Sequence, residues 1–262
     1  MGVSFRTLLS GSSGNAALLD DGETQLLLDC GARSQRLCRA MLDAWAPAPS
    51  AAVVSHLHSD HINYASLRTL RDRGTPVYVH ESLRQELAER HFRGACFRNL
   101  RVMTYGDRAF RVGAFEVRAL RLRHAPGYMT HGFAVAHQNG GAPKRLVALT
   151  DLMDVRGLAE EVAAADVVYL EANHDAALLR RRPNPNSWFH LENSRTGALL
   201  CEALARRDRP PGAVVLGHLS EERNTRDLAL GTIGGMLRRA GLGGVKLSVA
   251  PRFEPSEAFP LE

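Results

Sequence analysis

Lysine is nearly missing from this 262-residue chain: Lys144 and Lys246 stand against 33 basic residues in all, so 31 are arginine. With 28 acidic residues the formal net charge is only +5. The planar arginine fork suits phosphate, yet a surplus spread along a whole chain names no partner by itself. Long apolar runs are also missing. The longest, such as Leu26–Leu28 and Ala213–Leu216, fall far short of the roughly 20 residues that a helical membrane span needs. No apolar core follows Arg6, so no secretory leader and no membrane partner are expected. The four cysteines, Cys30, Cys38, Cys96 and Cys201, form no CxxC pair and no dense framework. That spacing excludes a disulfide scaffold and a zinc ribbon, and a reduced, cytoplasmic protein is expected. At 45% hydrophobic and 23% charged residues, the chain can build a core and is not a disordered tail.

What is present is a double alternation. Strands are expected at Ser4–Leu9, Ala16–Leu19, Gln25–Asp29, Ala51–Ser55 and Pro76–Val79, with helices at Gln35–Ala44, ending near Pro47, and at Tyr64–Arg73 and Ser82–Arg90. Residues 101–136 read as strands joined by reverse turns. Strands at Leu146–Thr150, Val167–Glu171, Ala213–Leu216 and Lys246–Val249 then alternate with helices at Val155–Ala165, Asn193–Arg206 and Thr225–Ala240. Arg180–Ser187 reads as a loop. Two such stretches in one chain predict two packed sheets with helices outside, and residues 1–262 are expected to form one domain because no linker divides them.

Three of the eleven histidines lie within six residues, His56-Leu57-His58-Ser59-Asp60-His61, directly after the apolar run Ala51–Ser55. On an extended segment, residues two apart point the same way, so His56 and His58 can hold one ion while Asp60 and His61 turn towards a second. One cluster cannot complete two coordination spheres. His124, Asp151 and His218 each follow an apolar strand, where a layered fold gathers its functional loops.

In this order the residues resemble the metallo-β-lactamase fold, over nearly the whole chain. Ser10–Asn15, Leu28-Asp29-Cys30-Gly31, Leu170–Asp175 and His218–Asn224 resemble its WalJ/YycJ-like branch, whose characterised members are 5′–3′ exonucleases. The resemblance implies an α/β, four-layer αββα sandwich. It assigns one ion to His56, His58 and His124, another to Asp60, His61 and His218, and has Asp151 and a hydroxide bridge them. Two divalent ions are implied, Zn²⁺ first and Mn²⁺ as the rival. The implied activity is hydrolysis of a phosphodiester, in nucleic acid or another molecule.

Asp60 and His190 are the expected catalytic pair, His190 as proton donor to the leaving oxygen. Asp29 and His174 are expected to orient ligands from behind. The Ser10–Asn15 loop carries no Walker lysine, which excludes a triphosphate loop, but its Ser12, Ser13 and Asn15 can face an anion. Arg180, Arg181, Arg182 and Arg195, with Arg33 and Arg123, are candidates to follow a phosphate backbone, and Trp188 and Phe189 offer stacking faces. His80, His91, His131 and His137 stand in no such context and read as structural. Departures from the branch fall in Asp175–His190 and in Ala125-Pro126 after His124, where substrate is gripped. Two other readings stay open: a small-molecule hydrolase of a cyclic phosphate, phosphodiester or thioester, and a non-catalytic metal-binding regulator.

Overall fold

The computed structural model describes residues 2–44, 48–91, 99–138 and 141–261. Pro47 and Cys96 lie outside the described residues, as does the side chain of His91. Strands β1 (Ser4–Leu9), β2 (Ala16–Asp20), β3 (Gln25–Leu28), β4 (Ala51–Val53), β5 (Val77–His80) and β6 (Val102–Tyr105) lie side by side in that order. Strands β7 (Phe110–Val112), β8 (Phe115–Leu122), β9 (Thr130–His137), β10 (Lys144–Leu149), β11 (Val167–Glu171), β12 (Ala213–Gly217) and β13 (Leu247–Val249) make the second sheet, also in sequential order. The C-terminal β14 (Phe259–Pro260) returns to pair with Ser4 and Phe5 at the edge of the first. With only two residues it carries no alternation by which the sequence could reveal it.

Side-chain alternation explains the layers. In β3, Leu26 and Leu28 enter the core between the sheets, while Leu27 enters a core beneath α1 (Gln35–Asp43), α2 (Tyr64–Asp72) and α3 (Arg84–His91). In β12, Ala213 and Val215 face the other sheet, and Val214 and Leu216 face outward. The helices on that side are α4 (Ala159–Ala164), α6 (Asn193–Leu204) and α7 (Arg226–Arg239), with the short α5 (Ala176–Arg181) between β11 and α6. Strands covered on both faces read as continuous apolar runs, as AAVV and VVYLE do here. The result is a four-layer αββα sandwich.

Two expectations need correction. The helix expected over Val155–Ala165 covers only Ala159–Ala164, because Gly157 adopts φ +78° and breaks the first turn. The stretch Arg180–Ser187 is not a plain loop. α5 runs to Arg181, capped by the Asp175 side chain on Ala177 N and Leu178 N, and a 3-10 helix follows over Pro185–Phe189, capped by Asn184. Strands β3 to β6 and β10 to β13 are parallel within their sheets. Their carboxyl ends therefore open on one edge of the sandwich, the usual place for a site in such folds.

Candidate metal centre

The first half of the centre hangs on Asp29, directly beyond β3. Its carboxylate accepts hydrogen bonds from Ser55 N (2.7 Å), Ser55 Oγ (2.8 Å) and His61 Nδ1 (2.7 Å). These tie the turn after β4 to the neighbouring strand. The backbone clamps the same turn: Cys30 N donates to the His61 carbonyl and Asn15 N to the Asp60 carbonyl, each at 2.7 Å. A Cβ at Gly31 would run into that Asp60 carbonyl, so only glycine permits this approach.

The second half hangs on Glu171, the last residue of β11 and fully buried. It accepts from Asp151 N (2.5 Å), Leu191 N (2.9 Å), His190 Nδ1 (3.0 Å) and His218 Nδ1 (3.2 Å). The Phe189 carbonyl holds His124 Nδ1 at 2.9 Å, and Ser10 Oγ accepts from His218 N at 2.9 Å. Among the described residues, three non-glycines have positive φ: Asp29 (58°), Asp151 (59°) and His218 (53°). Each stands just past a strand of the site or at its last turn, and left-handed backbone costs an L-residue roughly 1–2 kcal/mol. Strain of this kind concentrates at functional sites because surrounding contacts enforce it.

These anchors leave a consistent set of inward nitrogens. His56 Nδ1 meets Ser55 Oγ at 3.0 Å, leaving Nε2 to face His58 Nδ1 at 2.9 Å. His61 Nε2 lies 2.7 Å from Asp151 Oδ2 and 3.6 Å from Asp60 Oδ2. His218 Nε2 is buried with no hydrogen-bond partner and faces Asp60 Oδ2 at 3.5 Å. One ligand atom from each of His56, His58, His124 and Asp151 falls within 4.8 Å of the others, and so does one from each of Asp60, His61 and His218. Asp151, Glu171, His190 and His218 form a third such group. In it, however, both Glu171 oxygens are already engaged by backbone N–H and by the outward ring nitrogens.

Electrostatics divides the imidazoles. Burial pushes His56 and His124 below the ordinary histidine value, and His58 to about 4; these rings are neutral donors. Burial opposes charge on His61 and His218 too, but the carboxylates overcome it. Asp151, then Asp29 and Asp60, raise His61, while Asp151 with Asp60 and Glu171 lifts His218 to about 10. Burial likewise opposes ionisation of Glu171, yet His190 and His218 hold it to about 2. Imidazole beside carboxylate is the donor set of a borderline divalent cation, and the orphaned His218 Nε2 among these carboxylates fits such an ion.

The centre floors a cavity of about 620 Å³. Ser12, Asp60, His190 and Asn173 line it; Ser13 and Asn15 do not. Asn15 instead donates Nδ2 to Asp60 Oδ2 at 3.2 Å and contacts His61 Nε2 at 3.0 Å, while Ser13 offers its carbonyl to Arg33 Nε. The structure brings none of Arg180, Arg181, Arg182 or Arg195 into the cavity wall. The first three are exposed on and just beyond α5, and Arg195 Nη1 bonds the Met153 carbonyl. Their nearness to His190 in sequence is undone because the capped α5 turns them outward. Arg223 lines the wall in their place, held by the Arg182 carbonyl and Glu222. Trp188 is 76% exposed and outside the wall, whereas Phe189 lines it. His174 is buried, with Nδ1 unpartnered, and belongs to none of the ligand groups.

Sequence reasoning passed over Glu171, although an acidic residue closing the apolar run VVYLE was a usable signal. It also passed over Arg223 and Tyr128, whose ring lies 4.1 Å from that of His58. Nothing local distinguishes either.

A family model described as beta-lactamase superfamily domain matches residues 24–218, and the chain belongs to that family. It is 27% identical to the exodeoxyribonuclease WalJ of Streptococcus pneumoniae, over all of this chain and 98% of the relative. It is 29% identical to the exodeoxyribonuclease YycJ of Bacillus anthracis, over 93% of this chain and 92% of that one. Among solved structures, the metallo-beta-lactamase fold protein YhfI from Bacillus subtilis superposes with a TM-score of 0.72 at 18% identity, covering 98% and 99% of the two chains. No helix among the described residues is long and apolar enough to cross a membrane.

Proposed function

We propose that the chain is a dinuclear-metal phosphodiesterase acting on nucleic acid, an exonuclease in the manner of its named relatives. The observation that carries this reading is the adjacency of two ligand groups, joined where Asp151 Oδ2 of the first lies 2.7 Å from His61 Nε2 of the second, at the floor of an open cavity. His56, His58 and His124 would hold one cation, and Asp60, His61 and His218 the other, with Asp151 between them. Zn²⁺ suits so many imidazoles, and Mn²⁺ is the competitor. Two such cations, when bound, polarise the phosphoryl oxygens and lower the pKa of water to near neutrality.

The chain's own groups do the rest. Asn15 and the backbone clamp keep Asp60 and His61 in place. His190, its Nδ1 fixed by Glu171, presents Nε2 to the cavity. Burial works against its protonation, but Glu171 and then Asp151 raise its pKa, which favours the protonated ring that a leaving alkoxide needs. The cavity is lined from loops of both sheets, Ser12, His58 and Asp60 from the first and His124, Asp151 and His218 from the second, which supports reading residues 1–262 as one working unit.

Digestion of end-labelled single-stranded DNA and RNA, in chelator and after adding back Zn²⁺ or Mn²⁺, tests the reading. Cleavage is expected only with metal. Turnover of a small phosphodiester with no polymer cut would overturn the nuclease assignment. His190→Ala is expected to lose about 10²- to 10⁴-fold in kcat on an alkyl leaving group. On p-nitrophenyl esters, which leave without a proton, the loss should be far smaller; equal losses on both would remove its role as acid.

A further inference from the structure

The cavity is not closed on its His124 side. His124 and Tyr128 also line a second hollow of about 690 Å³, whose other walls include Arg121, Arg123 and Met153. Arg121, Leu122 and Arg123 are shared in turn with a third hollow, of about 300 Å³, that reaches Asp154 and Arg156. The shared walls make one trough running outward from the centre.

Its charge is opposite to that of the cavity. The cavity wall carries Asp60, Asp151, Glu221 and Glu222 against Arg223. The trough carries three arginines against Asp154, which Arg156 holds with Nε at 2.8 Å and Nη2 at 2.5 Å. Arg123 Nη1 stands 3.6 Å from the same carboxylate, and Arg121 pairs with no acidic residue among the described residues. Basic walls of this kind favour a polyanion, and the trough ends at the cavity.

We propose that the trough carries a single-stranded nucleic acid away from the centre, Arg121 and Arg123 gripping successive phosphates and Tyr128 stacking on the base at the junction. The strand's cut end rests on the phosphodiesterase reading above; its binding does not. Arg121 and Arg123 stand two apart at the end of β8, about 6.6 Å along an extended chain, comparable to neighbouring phosphates of a stretched single strand. Tyr128 offers a partly exposed ring, 37% accessible, with the Arg90 guanidinium 5.7 Å from its centre. Aromatic platforms beside basic tracks hold single strands without reading sequence. Arg195, tied to the Met153 carbonyl, flanks this trough.

The test is fluorescence anisotropy of a labelled 20-nucleotide single strand on the full chain in chelator, where no cleavage intervenes. Arg121→Ser with Arg123→Ser is expected to weaken binding roughly 10- to 30-fold near 0.1 M salt and to lower the log–log salt slope by about 1.4, two phosphates' worth. Arg238→Ser with Arg239→Ser removes equal charge at the far end of α7 and should stay within about twofold. Tyr128→Ala should cost at least about fivefold. A 20-nucleotide RNA should lose the same factor, because the grip is on phosphate. If both double variants bind alike, or if duplex competes as well as single strand, the inference is overturned. Failure of the phosphodiesterase reading would appear separately, as absence of metal-dependent turnover by the wild type.

Discussion

The two halves of the centre use the same device at different ranges. Asp29 and Glu171 are both carboxylates at the carboxyl end of a parallel strand, each holding several groups that face the cavity. Asp29 reaches one turn of one segment, Ser55 to His61. Glu171 reaches three separate segments, at Asp151, at His190 and Leu191, and at His218. The first sheet thus delivers a preassembled cluster, and the second assembles its share from single residues. A short-range anchor can be lost with local damage, whereas a long-range anchor is where three separate segments depend on one side chain.

This contrast can be broken by experiment. The largest effect is expected for Glu171→Ala, which strands two imidazoles and two backbone N–H groups in the interior. A loss of about 3–5 kcal/mol in urea unfolding should accompany loss of turnover. Asp29→Ala should weaken metal affinity about 10- to 100-fold, read by competition with a chelator, and destabilise less than Glu171→Ala. Equal destabilisation by the two would erase the distinction between near and far anchors. Gly31→Ala forces a methyl against the Asp60 carbonyl and should cost about 1–3 kcal/mol in the same urea assay, with the damage centred on the first half. Smallest of all, Arg180→Ala with Arg181→Ala should stay within about 0.5 kcal/mol and leave turnover within about twofold, since both side chains point to solvent.

Much of the candidate centre is legible in the sequence. His56 to His61 stand together in one segment, and His124, Asp151 and His218 each follow an apolar run. Ligand-type side chains directly after buried strands carry their own signal. Glu171 did not stand out, because its chemistry lies entirely in partners 19 to 47 residues away. The arginines misled in part, for the opposite reason: Arg180–Arg182 are close to His190 along the chain, but the capped helix points them away, while Arg123, already a candidate, and Arg121, which was not, line the hollow beside the centre from the end of β8. The left-handed backbone at Asp29, Asp151 and His218 had no sequence signal either, since contacts from neighbouring segments impose it.

By itself the sequence determined the layers and the inventory of ligand-type residues. Strand and helix periods are local, and continuous apolar strands can exist only when both faces are covered. Tertiary structure alone decided how those residues face one another, that Glu171 anchors the second half and which arginines stand beside the centre. Those outcomes depend on strand order and register across two packed sheets, where residues distant in the chain meet at one edge and neighbours in the chain turn apart.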